Sequence, residues 1–316
     1  MLDVITIGDA MITFNPVSKG PLRFVPAFER KVGGAEINVA VGCSRLGLKA
    51  GWISCLGNDE FGRHILHFAR GENIDTQYVK LIDEYPTSLN FKEIREGGAC
   101  RTFYYRHQSP IKAMSEEILE ESYFKEAKLL HLSGVFMGID ENSRKIVRRA
   151  IALAKKNGLI ISFDPNIRLK LWTAEEASKA IKEILSDVDI LLTGEEEAEI
   201  LFGTSVPEEI ISYCESFGIS NIAIKQGDKG AIGFKDGEWI RIEPVIPSAV
   251  VDTVGAGDGF NCGYIYGILQ GWTQERTMEL ANRIGSMAVS VSGDNEGLPL
   301  IEEVMAEMDQ IKRIER

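Results

Sequence analysis

The sequence predicts an α/β protein built on a mostly parallel sheet. Three observations carry this. Short apolar runs alternate with helical patterns along nearly the whole 316-residue chain. Several runs, LIISF and NIAIK among them, are apolar almost without a break, which suits strands covered on both faces. No repeat, low-complexity tract or linker divides the chain, so a single domain over 1–316 is expected.

Taken in order, DVITIG opens the sheet. After a polar excursion, AEINVAVGCSRLG sets Ile37, Ala40, Val41 and Ser44 at helical spacing. AGWISCLG with FGRHILHFARGEN, then AKLLHLSG with SRKIVRRAIALAKKNG, repeat the strand–helix pair. LIISFDPN, AEEASKAIKEILSDV, DILLTG, EEEAEILFG and ISNIAIKQG continue it, and GDGFNCGYIYGILQG reads as a late helix. One region departs from the pattern. TSLNFKEIREGGACRTFYYRH holds two extended runs joined by Glu96, Gly97 and Gly98, which reads as a β-hairpin. This region, about 86–107, and residues about 11–30 could form a small sheet standing off the main domain, a common cover for a substrate. A simple edge extension is the other reading.

Composition narrows the class. A net charge of −12 argues against a nucleic-acid partner, because binding to a phosphate backbone needs a basic face. Apolar runs fall far short of the ~20 residues of a membrane span. MLDVITIGDAM carries Asp3 and Asp9 without a basic lead-in and reads as a core strand, not a signal peptide. The five cysteines are widely spaced with no CxxC pair, so neither a zinc ribbon nor a disulfide framework is expected, and a cytoplasmic home fits. His64 and His67 could share a helix face, but without a third ligand they read as surface residues.

In an open parallel sheet, ligands bind beyond the carboxyl ends of the strands. Three polar clusters follow such strands: GDAM, DPNIR and VVDTVGAGDGF. The last is not a Walker A loop, since GxxxxGK[ST] is absent. It is not a dinucleotide fingerprint either, since Phe260 stands where a third glycine would be needed. What remains is a turn whose amides, at a helix start, can hold an anion. Asp258 within it reads in two ways. It is an acidic helix cap, or a base that takes a proton from an acceptor hydroxyl beside the anion, as phosphoryl transfer requires.

DTVGAGDGF matches the DTxGAGD motif of the ribokinase/PfkB carbohydrate kinase family, and GGAEINVAVGCSRLG followed by LGNDEFG matches its second pattern. The resemblance covers nearly the full chain. It implies a ribokinase-like three-layer domain with a central mostly parallel sheet and a small β-sheet lid. It implies Asp258 as the catalytic base, and the amides of Gly255, Ala256 and Gly257 as the hole for the migrating phosphoryl group. Asp9, Gly34 and Asn38 would bind sugar hydroxyls. Asn166, Lys225, Gly227 and Gly230 would lie near ATP. Glu197 would position hydrated Mg2+ through water, with Gly194 standing where the family often has asparagine. A monovalent cation such as K+ is left open as an activator.

DPNIRLKLW and FYYRHQS bear on the acceptor. Tyr104 and Arg106 fall on one face of the hairpin strand, and Arg168 lies two residues beyond Asn166. Arginines near one pocket of an acidic protein suit an anionic substrate or product, or the phosphates of ATP. Both segments resemble those of 2-keto-3-deoxygluconate kinases, which would add Asp294 as a substrate contact. Asn90 stands where a tyrosine is common there. Fructokinases share DPNxRxxLW and form the alternative. A non-catalytic sugar- or nucleotide-sensing module is the alternative of another class, and it has no need of Asp258. The partners implied are a small sugar or sugar acid and a second copy of the chain meeting through the lid, with neither nucleic acid nor membrane.

Overall fold

The computed structural model describes residues 1–95 and 100–309. Thirteen strands are present among them: β1 (Val4–Ile7), β2 (Met11–Pro16), β3 (Phe28–Gly33), β4 (Ala50–Gly57), β5 (Val79–Ile82), β6 (Ser88–Ile94), β7 (Cys100–Tyr105), β8 (Leu129–Ser133), β9 (Ile160–Asp164), β10 (Ile190–Gly194), β11 (Asn221–Lys225), β12 (Ala231–Lys235) and β13 (Glu238–Ile242). Nine form one sheet in the order β13-β12-β11-β10-β9-β8-β1-β4-β5. From β11 to β5 every neighbour is parallel, while β12 and β13 close that end as antiparallel strands.

Helices cover both faces, and the strand pleat decides which residue meets which layer. Ile5, Ile7, Leu130, Leu132, Leu191, Ile222 and Ile224 join the core beneath the helices Glu141–Lys156, Ala174–Lys182 and Pro207–Ser216. Val4, Leu129, Ile190, Leu192 and Ala223 point the other way, into the core with the helices Ala35–Arg45, Ala256–Leu269 and Gln274–Ala288. This is the expected three-layer arrangement. Several helices start where their sequences say they should. Asp59 accepts from the Phe61 and Gly62 amides, Asp140 from Ser143, and Thr173 with Glu176 makes a reciprocal capping box.

The remaining strands form a separate four-stranded sheet, β3-β2-β6-β7. Its first arm runs on to Gly33, past the expected limit near residue 30. β6 and β7 pair antiparallel as a hairpin would, and Glu96, Gly97 and Gly98 lie outside the described residues. Alternation gives this sheet two characters. Thr13, Lys31, Asn90, Lys92 and Tyr104 share one face, while Phe14, Arg30, Phe91 and Phe103 share the other. On that second face the Phe14 and Phe91 rings stack at 4.7 Å, and Phe28 and Tyr105 meet Phe91 edge-on.

Among the described residues no helix is long and apolar enough to cross a membrane, and no group of three His, Cys, Asp or Glu side chains could cage a metal ion. His64 and His67 lie on the helix Glu60–Gly71, one half-buried and one exposed. All five cysteines are free, and Cys100 alone of them is exposed.

Candidate active site

Gly255 is the N-cap of the Ala256–Leu269 helix at φ 84°, a left-handed conformation that favours glycine. A Cβ there would run into the carbonyl oxygen of Asp294, so the turn and residue 294 are packed backbone to backbone. Gly257 differs, because a Cβ on it would meet just the Lys225 ammonium, at 3.7 Å. Its missing side chain leaves open space over the helix start, beside a cation.

Asp258 sits in the first helical turn, 7% exposed. Its Oδ2 accepts from Asn38 Nδ2 at 2.8 Å. Burial pushes its carboxyl up to about 7, while the Asn38 hydrogen bond holds it back. A carboxylate tuned to that range suits a general base at neutral pH.

Asp9 follows β1 at the carboxyl end of the sheet and is buried. Its Oδ2 accepts from Arg106 Nη2 at 3.1 Å and Ser109 Oγ at 3.2 Å, and its Oδ1 has no partner among the described residues. Burial raises its pKa, and Arg106 opposes the rise. Arg106 lies one residue past β7, so the hairpin delivers it by its end and not by its strand face. Gly34 has φ 145°, and a Cβ on it would overlap the Asp9 carbonyl, which explains the glycine. Asn90 donates to Thr13 Oγ1 at 3.0 Å and leaves its own Oδ1 unpartnered. Tyr104 stands directly across from Asn90, with the Lys170 ammonium 5.2 Å from its ring centre. Arg168 is exposed, and its charge acts on both Asp258 and Glu197.

On the other side, Asp164 ends β9 and is buried. Its Oδ2 accepts from Lys225 Nζ at 2.8 Å and Asn261 Nδ2 at 2.6 Å. Burial alone would raise the Asp164 pKa, but Lys225 outweighs it and keeps the group a carboxylate. Asn166 holds φ 34°, unusual for a non-glycine residue, with its amide donating to Asp164 Oδ1. Gly227 and Gly230 form the β11–β12 turn, where a Cβ on Gly230 would strike the Ile242 carbonyl. Glu197 accepts from the Gly194 amide at 2.8 Å and the Ile167 amide at 3.2 Å, one bond to each oxygen. It therefore caps its own helix and ties the DPN turn to it, with lone pairs remaining for a water.

Two expectations change in detail. Arg106 is engaged with Asp9 in this state, so a substrate carboxylate would share the guanidinium. Asp294 has one oxygen committed, its Oδ1 being paired with Lys92 at 3.0 Å, so a ligand would meet it through Oδ2. Sequence reasoning also passed over three buried residues. Glu36 lies at the foot of the site with Oε1 unpartnered, its carboxyl packed where a Cβ on Gly8 would be. Burial first, and then the charges of Asp258 and Asp9, push it up to about 8. Asn261 and Lys92 are the others. For Glu36 and Asn261 the available signal was a polar residue within a helix pattern; for Lys92 there was none, because the apolar Leu89 and Phe91 mark the other face of its strand.

The chain matches the model of the pfkB family carbohydrate kinases over residues 1–301. It is 35% identical to the 2-dehydro-3-deoxygluconokinase of Bacillus subtilis (strain 168) over 311 residues, 96% of this chain and 94% of that one. It is 31% identical to the 5-dehydro-2-deoxygluconokinase of Halalkalibacterium halodurans over 319 residues, 99% and 96% of the two chains. An Escherichia coli protein assigned as ribokinase II, solved in complex with ATP and Mg2+, superposes with a TM-score of 0.91 at 26% identity, covering 98% of this chain and all of that one. With a three-layer α/β fold, a buried aspartate behind a glycine-rich helix start, and a family match over almost its full length, this chain is a member of the PfkB family of carbohydrate kinases.

Proposed function

We propose that this kinase transfers the γ-phosphoryl group of ATP to the terminal hydroxyl of 2-keto-3-deoxygluconate, giving the 6-phosphate. One observation carries the choice of acceptor. The Arg106 guanidinium is bonded to Asp9, whose Oδ1 is left without a partner, and Asn90 Oδ1 on the lid strand is likewise unpartnered. A sugar acid matches that set, because its carboxylate takes the guanidinium and its hydroxyls donate to the orphaned oxygens.

In this reading Asp9, Gly34, Asn38 and Asn90 border the sugar, with Tyr104, Arg106 and Arg168 toward its carboxylate end. The Asp258 carboxylate accepts the proton of the attacking hydroxyl, and Asn38 keeps that carboxylate aimed. The amides of Gly255, Ala256 and Gly257, at the positive end of the helix, receive the oxygens of the phosphoryl group in flight. Lys225, held by Asp164 and close to Gly257, adds positive charge at that point. Asn166, Gly227 and Gly230 border the nucleotide. Mg2+ would be reached by Glu197 through a water. Bound there, the ion would offset the charge of the phosphates. The small sheet, formed by 11–33 and 88–105, would close over the acceptor as a lid. Its outer aromatic face would meet a second copy of the chain.

The test is a side-by-side assay with ATP and 2-keto-3-deoxygluconate, its 5-keto-2-deoxy isomer, and fructose. The keto acid named first should give the highest kcat/KM. A higher value with either competitor refutes the choice of acceptor. Asp258→Asn should lower kcat by about 10²–10⁴-fold, and near-full activity in that variant would remove the base from the mechanism.

A further inference from the structure

Lys92 lies on β6, two residues from Asn90 and on the same face. Its side chain is 3% exposed, and the ammonium is shared between two carboxylates: Asp252 Oδ2 at 2.9 Å and Asp294 Oδ1 at 3.0 Å. Those two aspartates bracket the loop that precedes Asp258. Asp252 opens it, with Oδ1 accepting from the Val254 amide at 3.2 Å and Oδ2 from the Gly293 amide at 3.4 Å. Asp294 backs it, its carbonyl occupying the space a Gly255 side chain would need. The same aspartate reaches the lid-side glycines, since a Cβ on Gly33 would overlap its Oδ2. One ammonium thus joins the small sheet to both ends of the phosphoryl-receiving turn.

Two carboxylates facing each other in a buried space repel unless a cation lies between them. Burial lowers the Lys92 pKa, but Asp294 and Asp252 more than compensate and raise it above the ordinary lysine value, so the ammonium stays charged. A surface salt bridge would contribute little, whereas this one is enclosed and fixes backbone on both sides. The sheet that carries Lys92 also carries Asn90 and Tyr104 and leads into Arg106, so lid placement and loop geometry are mechanically one unit.

We propose that Lys92 is a positioning residue that acts as a chain-borne monovalent cation, locking the Asp252–Asp294 pair and so holding the Gly255–Asp258 turn in register with the lid. The turn's role in phosphoryl transfer rests on the function proposed above. It follows that the enzyme needs no K+ from solution, because the place between the two carboxylates is already filled.

The experiment compares wild type with Lys92→Met, a neutral side chain of similar length, in KCl, NH4Cl and tetramethylammonium chloride at equal ionic strength and pH 8. Wild type should be indifferent to the cation. The variant should lose about 10- to 100-fold in kcat in tetramethylammonium, with a smaller change in the KM for ATP, and should recover in part with NH4+ or K+, which fit between the carboxylates. A merely structural lysine would show no such cation-selective rescue. Hydrogen exchange over residues 252–258 gives a second reading that needs no acceptor. Exchange should be about tenfold faster in the variant and slow again in NH4Cl. If wild type phosphorylates none of the sugars tried, the acceptor assignment fails while the exchange result still decides on Lys92. The proposal is overturned by cation-selective activation of wild type, by a variant within twofold of wild-type kcat, or by equal exchange in the two proteins. A variant too unstable to purify leaves the wild-type cation series to decide.

Discussion

Glu36→Gln is the substitution whose effect can be worked most directly from the structure. Glu36 is 1% exposed, and burial together with the charges of Asp258 and Asp9 raises its pKa from 4.5 to about 8. Arg106 acts in the opposite sense, and Glu36's own backbone amide does as well. Between those two values the folded protein holds a proton that the unfolded chain has released. Stability from this group is therefore complete below pH 4.5 and is lost as pH rises through about 8. The slope is about 1.4 kcal/mol per pH unit, so from pH 5.5 to 8 the loss is on the order of 3 kcal/mol. Glutamine keeps the shape of the neutral acid and cannot ionise. Urea unfolding at the two pH values, analysed by linear extrapolation, measures the difference. Wild type should fall relative to Glu36→Gln by about 3 kcal/mol between pH 5.5 and 8. A stability gap that is the same at both pH values would refute a neutral Glu36 in the folded protein.

Other expectations follow from the same geometry. With Asp258 raised to about 7, kcat/KM should climb about tenfold per pH unit below 7 and flatten above it, and a profile flat from pH 5.5 to 8 would exclude this base. Arg106→Ala strands Asp9 for every substrate, but it should raise the KM for the keto acid at least about tenfold more than for fructose. Equal changes would free Arg106 of a carboxylate. Lys225→Met leaves the buried Asp164 without its cation and should destabilise by about 3–5 kcal/mol in urea titration, with much of the loss recovered when Asp164→Asn is added. Gly255→Ala drives a Cβ into the Asp294 carbonyl, so kcat should drop even where circular dichroism shows an intact fold.

The layers of the fold were legible because the strand pleat is written directly in the sequence. In NIAIK and LIISF apolar residues point both ways, and both helix layers are present to receive them. Asp258 was legible as a candidate base for a different reason: its place at a helix start also allows an acidic cap, and the match of DTVGAGDGF to the DTxGAGD motif is what favoured the base. Glu36 was hidden because an acid in the first turn of a helix is what the dipole favours anyway. Its burial depends on Gly8, which is remote in sequence. Lys92 was hidden because its two partners lie far down the chain, at 252 and 294, and a lysine in a hairpin strand ordinarily faces solvent. Arg106 was placed at the site, yet its link to Asp9 depends on where the chain turns after β7, which no local pattern specifies.

The position of β1 has a consequence for how the protein comes to be made. That strand lies inside the main sheet, between β4 and β8, and pairs with residues 50–53 on one side and 129–131 on the other. At about 5–20 residues per second of synthesis, one edge of β1 stays open for roughly 6–25 seconds before β8 leaves the ribosome. Fully apolar Val4, Ile5 and Ile7 are exposed on an unpaired edge through that interval. Of the strands inside the main sheet, β1 thus waits longest between its own synthesis and that of its second neighbour, and the nascent chain must be kept from pairing with others until then.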